Sequence, residues 1–512
     1  MKSTYLHIIS KTALISCTCL LLTSCNKFLD ERPSKSTSLV VTHVDQLAAL
    51  FNNFSSFYIE SNRTNIYSTD DYGFYQQLYN KMPSTYNMTG VEFATWDTQY
   101  LPSDNREAFW SNEYRKIFTA NMVLDKVDKV EGTAEEKARL KAEAHFVRAY
   151  SYFGLVNTYC LPYTEQTKNE MGLPLKKTVA FNEDMARAPL QQVYELIESD
   201  LKEALTLQIP LVQNGRAKHW RANTAAVNGF AARYYLTRND YTNALKYASA
   251  ALSEYSTLVD YNKDMRYGRD AVITINPGTP DAKSVTLQYP YGHDNQSDFT
   301  DMLGWKEFLY FRMLNHESWW YIPSQELIDL YDHDHDLRYT YHFVEGYSYE
   351  RGMIKPAYEY PGYVSFYKDR IPSGPTVAEM YLIKAECQAR LGALDNAITT
   401  VNVLRKARLS AGPWVDLKVG SKEETIQSIL KERRRELPFT QRWNDIRRYN
   451  NNADPKDDVE ISRTFYPYNF SSVETDKPVK VYRLEKTSRR FAAPIPLTEI
   501  ISSNGKIEQN TY

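Results

Sequence analysis

Apolar residues recur every three or four positions along much of the chain, which is the spacing that places side chains on one face of an α-helix. One such stripe, with spacings of 3, 3, 4 and 3, consists of Tyr114, Ile117, Ala120, Leu124 and Val127. A capping-box pair, Thr133 and Glu136, marks the start of the next helix. The same periodicity predicts further helices over residues 191–207, 224–237 and 241–255.

A second pattern places small and aromatic residues at fixed offsets within these helices. The first copy has offsets of 0, 3, 9, 12, 16 and 19 and consists of Ala232, Tyr235, Tyr241, Ala244, Ala248 and Ala251. These are the offsets of a tetratricopeptide repeat, in which small side chains are needed because the two helices of a pair cross closely. A degenerate copy lies 153 residues later, at Ala385, Leu394, Ala397 and Val401. We therefore predict a mostly α fold, built as a tetratricopeptide-like superhelix of helical pairs.

Helical periodicity fades between about residues 256 and 375, where Tyr, Gly, Asp and Pro are frequent. This composition predicts an irregular lobe with one short helix over residues 324–331. A second irregular lobe is predicted over residues 450–482. The chain then divides into a region of first helical pairs (25–255), the lobe (256–374) and a C-terminal region with the last repeat (375–512).

The N-terminus has the pattern of a secretory signal. Lys2 and Lys11 precede an uncharged, mostly apolar stretch that is too short to span a bilayer as a helix. It ends in Leu22-Thr23-Ser24-Cys25, which resembles a bacterial lipobox. We predict a signal peptide over residues 1–24 and lipidation of Cys25; an ordinary signal peptide or a buried helix is the alternative. Two acidic residues shortly after Cys25 resemble a surface-export signal.

Only two cysteines remain after Cys25, namely Cys160 and Cys387. Two isolated cysteines do not form a disulfide framework, so both are predicted to pack inside helices as small apolar residues. The composition excludes another class of protein. The chain has 61 basic and 63 acidic residues and a formal charge of −2, without the basic excess of a nucleic-acid-binding protein. No nucleic-acid partner is expected.

Motifs of nucleophilic, nucleotide-binding and zinc-protease chemistry are absent from the sequence: there is no G-x-S-x-G, Walker loop, G-x-G-x-x-G or H-E-x-x-H. The best metal candidate is the pair His333 and His335, interleaved with Asp332, Asp334 and Asp336. We interpret it as a solvated polar turn, because residues two apart point to different sides of a helix. No catalytic residue, metal or cofactor is predicted.

Two further charged features have structural interpretations. His145, beside Glu143, is interpreted as a histidine on a helix surface. The basic run Arg433–Arg435 alternates with acidic residues, so an ion-paired helix is favoured over a phosphate site.

Tryptophans carry the clearest hint of a ligand. Trp110 and Trp443 lie in or beside predicted helices and are expected in the core. The others of interest lie in irregular segments rich in Tyr, Asp and Asn: Trp96, Trp305, Trp319 and Trp320, with Tyr100, Tyr289 and Tyr291 nearby. An exposed ring offers a flat apolar face for the C–H face of a sugar, while neighbouring polar groups pair with hydroxyls. The alternative is that each ring is buried within its lobe.

Five segments, taken in order, resemble the motifs of one protein family. They are Cys25–Asp30 followed by Pro33, like C-x-x-F-L-D…P; Phe109–Asn121, like W-x-x-x-Y-x-x-I-x-x-A-N; Glu143–Phe153, like E-A-x-F-x-R-A-x-x-Y-F; Glu432–Arg448, like E-R-R-x-E-L-x-F-E-G-x-R-W-x-D-L-x-R; and Pro494–Asn510, like P-I-P…E-I…N…Q-N. The chain thus resembles the SusD/RagB family of Bacteroidetes outer-membrane lipoproteins over nearly all of its length after Cys25. It departs where Thr440-Gln441 replaces the family's Glu-Gly, one residue short, which we interpret as a divergent branch.

The resemblance implies a SusD-like α-superhelix of four tetratricopeptide-like helix pairs with an irregular ligand-binding lobe. It also implies a non-enzymatic role without a cofactor. Such a protein is lipid-anchored in the outer membrane, faces the cell surface and captures an oligosaccharide for a SusC-like TonB-dependent transporter.

Three alternatives stay open at this point. The same architecture can take a peptide as cargo. The chain can be a surface glycan hydrolase, which requires a pair of catalytic carboxylates. It can also be a tetratricopeptide scaffold that binds only proteins.

Overall fold

The fold is taken from a computed structural model, which describes residues 41–98, 108–180, 182–265, 267–275, 277–290, 303–316, 321–344, 361–365 and 370–512. Cys25 and the predicted signal peptide lie outside these ranges. The N-terminal part consists of short elements, in chain order α1 Val44–Asn52, β1 Ile59–Glu60, α2 Arg63–Tyr67, α3 Gln76–Lys81 and α4 Met88–Thr95. In the described part of the chain, no helix is both long and apolar enough to cross a membrane.

Longer helices follow and form the body of the molecule. They are α5 Ala108–Lys126, α6 Ala134–Tyr159, α7 Leu190–Ala204, α8 Thr224–Thr237 and α9 Tyr241–Glu254, with a small hairpin of β2 Val212–Gln213 and β3 Arg216–Ala217 between α7 and α8. The predicted helices are confirmed. So is the capping box that begins α6, in which the Thr133 hydroxyl accepts a hydrogen bond from the Glu136 N–H and the Glu136 carboxylate accepts one from the Thr133 N–H.

The repeat pattern corresponds to two helix pairs, α8–α9 and a second pair formed by α12 Val377–Arg390 and α13 Leu394–Arg408. Three-residue connections join the helices of each pair, which makes the two helices antiparallel neighbours. The small residues lie at the crossings as predicted: Ala232, Ala244, Ala248 and Ala251 are fully buried in one cluster that also contains Cys387. Ala385, Ala397 and Val401 of the second copy are equally buried. The mostly α fold is therefore confirmed.

The lobe contains more regular structure than its composition predicts. Its elements are β4 Tyr267–Ile275, β5 Lys283–Pro290, β6 Met313–Asn315, α10 Gln325–Ile328, α11 Leu337–His342, β7 Phe343–Val344, β8 Gly362–Tyr363 and β9 Arg370–Pro372. Strands β4 and β5 form an antiparallel hairpin. Strand β6 pairs in parallel with β1 and antiparallel with β9, so the lobe is joined to the N-terminal part by a three-stranded sheet.

The C-terminal region adds α14 Lys422–Glu436, α15 Arg442–Tyr449, β10 Ile461–Phe465, β11 Lys480–Leu484 and α16 Leu497–Ser502. Strands β10 and β11 pair antiparallel, so the second segment predicted as irregular contains one strand and part of its partner. Its signal was the alternation along β10, where Ile461, Arg463 and Phe465 face inward and the residues between them are exposed.

The predicted ion-paired helix, α14, is confirmed, and its partners extend to other parts of the fold. Arg434 pairs with Asp71 at 2.8 Å. Glu432 of α14 accepts from Arg338 of the lobe at 2.7 Å. Asp71, Arg338 and Glu432 are buried and Arg434 is largely so, which means that these pairs connect the N-terminal part and the lobe to the C-terminal region through groups that leave water on folding.

The interpretation of His145 as a surface histidine is wrong. Its Nδ1 lies 2.6 Å from Asp200 Oδ1, and Arg148 Nε donates to the other oxygen of that carboxylate at 2.8 Å. The cluster joins α6 to α7. The predicted core positions of Trp110, Trp443, Cys160 and Cys387 are confirmed, and both cysteines are free thiols.

Candidate functional site

Trp96, one of the predicted stacking residues, belongs to the core. It follows α4 in a left-handed conformation with a φ of 56°, which turns its ring back towards α2. The side chain is 3% exposed, its Nε1 donates to the Ser68 carbonyl at 2.9 Å, and the Arg463 guanidinium lies 5.0 Å from its ring. A ring enclosed in this way has no face for a sugar, so the expectation for Trp96 is corrected.

The segments that carry other predicted rings attach to the same part of the fold. Residue Trp320 directly precedes Tyr321, and the Ile322 carbonyl accepts from the Gly73 N–H at 2.7 Å. Gly73 is required here, because a Cβ at this position would lie 2.4 Å from the Pro323 oxygen. Tyr100 lies two residues after Thr98 and four after Trp96 in the sequence. Tyr100, Trp319 and Trp320 themselves lie outside the described residues.

A cluster of rings lies at this junction, which we call the aromatic surface and define as Phe74, Tyr79, Phe465 and Tyr466. The Phe74 and Phe465 rings are 4.0 Å apart, and Tyr79 lies 5.4 Å from Phe465 and 6.3 Å from Tyr466. Phe465 is buried and the other three are half-buried, so their rings are partly open to solvent. The Tyr466 hydroxyl donates to Asn80 Oδ1 at 3.1 Å, which places a polar group at the edge of the rings.

The sequence does not predict this surface, because residues 450–482 have the composition of an irregular segment and their contact with α3 is long-range. The available signal was the run Phe465-Tyr466-Pro467-Tyr468, which is dense in rings at the end of an alternating strand. Burial, together with Tyr466, raises the pKa of Tyr79. The Tyr79 phenol therefore stays neutral and can donate a hydrogen bond at physiological pH.

Trp305 lies in a different cluster from Trp96. It packs beside Tyr58, Phe308 and Phe311, and its ring is 6.3 Å from that of Tyr261. It is half-buried and keeps part of its surface open. Of the remaining predicted residues, Tyr289 lies in β5, and Tyr291 follows that strand outside the described residues. Trp96 and Trp305, the two candidate rings whose side chains the structure describes, thus lie in different clusters.

A cavity of about 360 Å³ lies against α5. Its lining includes the rings of Trp110, Tyr114 and Phe118, and its charged members are Lys176, Glu183 and Glu499. Burial raises the pKa of Glu499. The volume is within the range of small-molecule sites, and the mixture of rings and a few polar groups is typical of them.

A buried pair of carboxyl groups tests the hydrolase alternative. Burial and the neighbouring Glu113 raise the pKa of Glu60. Glu60 and Glu113 line a cavity together with Arg233. That cavity has a volume of only about 40 Å³. A single water takes about 30 Å³ in the liquid, so no sugar ring fits between these carboxyl groups. The pair gives the hydrolase alternative no support.

The histidine–aspartate cluster is not a solvated turn throughout. His333 lies against Tyr339, with ring centroids 3.8 Å apart, and His335 Nδ1 contacts Asp332 at 3.0 Å. Asp336 is buried: it caps helix α11 by accepting from the Arg338 backbone N–H at 3.0 Å, and it also pairs with the Arg338 guanidinium at 2.8 Å. Within the described ranges, no group of three or more His, Cys, Asp or Glu side chains is arranged to hold a metal ion.

The protein is a helical-repeat protein with an aromatic surface. Its helix pairs have small residues at their crossings, and a lobe with short strands is inserted between the pairs. Two family models match the chain. One, described as starch-binding associating with outer membrane, matches residues 27–236, and the SusD family model matches residues 376–512. The chain belongs to the SusD/RagB family.

Similar proteins agree with this assignment. A curated SusD-like protein of Formosa agariphila is 26% identical over 382 residues, which are 67% of this chain and 71% of that protein. A SusD superfamily structure from Bacteroides thetaiotaomicron is 18% identical, with a TM-score of 0.63 and coverage of 92% of this chain and 100% of that one. A SusD-like carbohydrate-binding protein of Bacteroides vulgatus has a TM-score of 0.56 at 18% identity, covering 91% and 97% of the two chains.

Proposed function

We propose that this chain is a cell-surface lipoprotein that binds an oligosaccharide and delivers it to a SusC-like TonB-dependent transporter without changing it chemically. The observation that carries the proposal is the match of two SusD-family models, one of which is described as starch-binding. The fold is shared with a structure described as a carbohydrate-binding protein, which adds support.

The aromatic surface is the place we favour for the glycan. Its half-buried rings offer apolar faces, and Asn80 and the tyrosine hydroxyls supply hydrogen-bond partners at their edges. Tyr100, Trp319 and Trp320 are proposed as additional stacking residues. Trp305, Tyr289 and Tyr291 are proposed as a second set of contacts from the lobe.

Single alanine variants of Tyr79, Trp305, Trp319 and Trp320 test this site. At a true stacking position, the loss of a ring should weaken oligosaccharide binding by about 1–3 kcal/mol, by analogy with base stacking on aromatic side chains. Affinity is measured by calorimetry with the oligosaccharide that binds the wild-type chain. Trp414→Ala is the matched control, because Trp414 is 41% exposed but is not part of the aromatic surface.

A Phe118→Ala variant distinguishes the two places where a sugar fits. Unchanged affinity in this variant, with loss in the ring variants, supports the aromatic surface. Loss in Phe118→Ala alone would assign the glycan to the cavity beside α5. Normal affinity in every ring variant, with normal folding, contradicts the proposed contacts.

A further inference from the structure

One arginine of α15 is buried without a counter-ion. Arg447 is 2% exposed, and its guanidinium donates to the backbone carbonyls of Cys160 and Phe491. Its Nε has no hydrogen-bond partner, and none of the ion pairs among the described residues includes Arg447. The adjacent Arg448 shows the usual solution, since it pairs with Glu386 at 2.6 Å. A buried cation without a carboxylate is costly, so Arg447 is unusual in this core.

A second arginine lies beside it. The Arg238 guanidinium lies 3.9 Å from the ring centroid of Tyr163 and 5.0 Å from that of Tyr194. In the part of the chain that the structure describes, Arg238 belongs to no ion pair. Stacking holds the guanidinium plane against the rings and leaves its edge available for a bidentate partner.

Both arginines line one cavity of about 290 Å³, together with Thr164, Asn239 and Asn451. Two other charged residues line it, and each is already neutralised. Glu165 pairs with Lys168 at 2.8 Å, and Arg448 pairs with Glu386. Glu165 also interacts electrostatically with Arg238, whereas Arg447 has no carboxylate partner among the described residues; amide and hydroxyl groups lie beside both arginines.

We propose that this cavity binds an oxyanion, a carboxylate or a sulfate group, held between Arg447 and Arg238. A planar carboxylate or a sulfate matches the paired N–H donors of a guanidinium, and both fit easily within the volume. The cavity is large enough for an acidic sugar unit that carries such a group. Burial lowers the pKa of Arg447 to about 10, so this side chain is still charged at neutral pH.

The site is independent of the aromatic surface. Its residues come from the end of α6 and the segment after it, from α7, from the end of α8 and the turn that follows, and from α15 and the turn after it. None of them belongs to the aromatic surface. Loss of the anion site should therefore leave the binding of a neutral oligosaccharide unchanged.

Calorimetry of the full-length chain tests the proposal. The chain is titrated with sodium sulfate, sodium acetate and sodium glucuronate, and sodium chloride keeps the ionic strength constant. We expect saturable binding of at least one of these anions to the wild type and at least a tenfold weaker affinity in Arg238→Gln. Arg238 is chosen because its side chain is partly exposed, whereas Arg447 supports two backbone carbonyls. Arg115→Gln, at an exposed position of α5, is the matched control and should bind as the wild type does.

The three probes also distinguish the sources of the anion. Equal affinity for acetate and glucuronate supports a site for the charged group alone, and tighter binding of glucuronate supports a site for an acidic sugar. Absence of binding by the wild type to all three salts overturns the proposal. So does an Arg238→Gln variant that binds with unchanged affinity.

Discussion

Glu386 shows how single residues hold the C-terminal region together. It lies in α12, is fully buried, and accepts hydrogen bonds from Arg390 of the same helix and from Arg448 of α15. Each guanidinium has a further acidic partner, Asp457 for Arg390 and Asp445 for Arg448. Removal of one charge from such a network is costly because the groups that remain are buried and only partly paired.

We expect Glu386→Gln to lower the free energy of unfolding by about 3–5 kcal/mol, which is typical for breaking a buried pair. Urea unfolding followed by circular dichroism at neutral pH measures this difference. Glu203→Gln, at an exposed position of α7, is the control and should change stability by less than about 0.5 kcal/mol. Equal stability of the two variants would show that the network does not stabilise the fold.

The same residue predicts a dependence on pH. Burial favours the neutral acid, but Arg448 and Arg390 outweigh it and hold the pKa of Glu386 well below its ordinary value of 4.5. A lowered pKa in the folded state contributes stability that is fully present above the unfolded value and is lost as the pH falls below it. The stability difference between the wild type and Glu386→Gln should therefore shrink below pH 4.5, by up to about 1.4 kcal/mol per pH unit. A difference that stays constant from about pH 5 to about pH 3 contradicts this assignment.

Individual tryptophans show where sequence reasoning succeeds and where it stops. Trp110 was assigned correctly to the core because the helical stripe around it sets its direction. Trp96 has polar neighbours in sequence, but its burial depends on Ser68 and Arg463, one of which is hundreds of residues away. Local composition contains no information about such a contact.

Among the secondary-structure elements, the small residues at the helix crossings explain the repeats. Ala248 of α9 is fully buried, whereas Ala250 of the same helix is half-buried. The backbones of α8 and α9 approach closely at Ala248, so a larger side chain at this position must displace one helix.

Ala248→Leu should therefore destabilise the protein by about 1–3 kcal/mol, the usual cost of overpacking a core. Ala250→Leu adds the same atoms to the same helix and should change stability by less than about 0.5 kcal/mol. Thermal unfolding of both variants measures the difference. Similar melting temperatures for the two would contradict the close crossing inferred from the repeat.

Helices of the body could be predicted well because their periodicity is local and long. The strands of the lobe and the β10–β11 hairpin could not, because they are short and pair with distant segments. Strand β6, for example, has three residues, and it pairs with β1 more than 250 residues earlier. Hydrophobic pattern alone does not specify such pairing.

At the scale of the whole molecule, buried ion pairs join regions that are far apart in sequence. Arg442 of α15 pairs with Asp70 at 2.7 Å, and Arg408 of α13 pairs with Glu307 of the lobe at 2.8 Å. The motif Glu432–Arg448, which is rich in arginine and glutamate, therefore connects distant parts of the fold. Four of its arginines, Arg433, Arg434, Arg442 and Arg448, are occupied by ion pairs within the fold.

Anchoring is the second property of the whole molecule that can be tested. Cys25→Ala should abolish incorporation of labelled fatty acid and release the chain from the membrane fraction, because the acyl chains supply the attachment. Cys160→Ala is the control, since Cys160 is a buried free thiol and should leave labelling unchanged. Labelled fatty acid in the Cys25→Ala variant would contradict the lipobox.

The central claim is that the protein holds a glycan and does not transform it. Calorimetric titration of the purified chain with a panel of neutral oligosaccharides tests this most directly, since one trace reports both binding and turnover. We predict a heat that saturates at one or a few equivalents and then returns to the dilution baseline for at least one glycan. A steady heat in excess glycan, which signals hydrolysis, or no binding heat for any glycan while a peptide library binds, would contradict the claim.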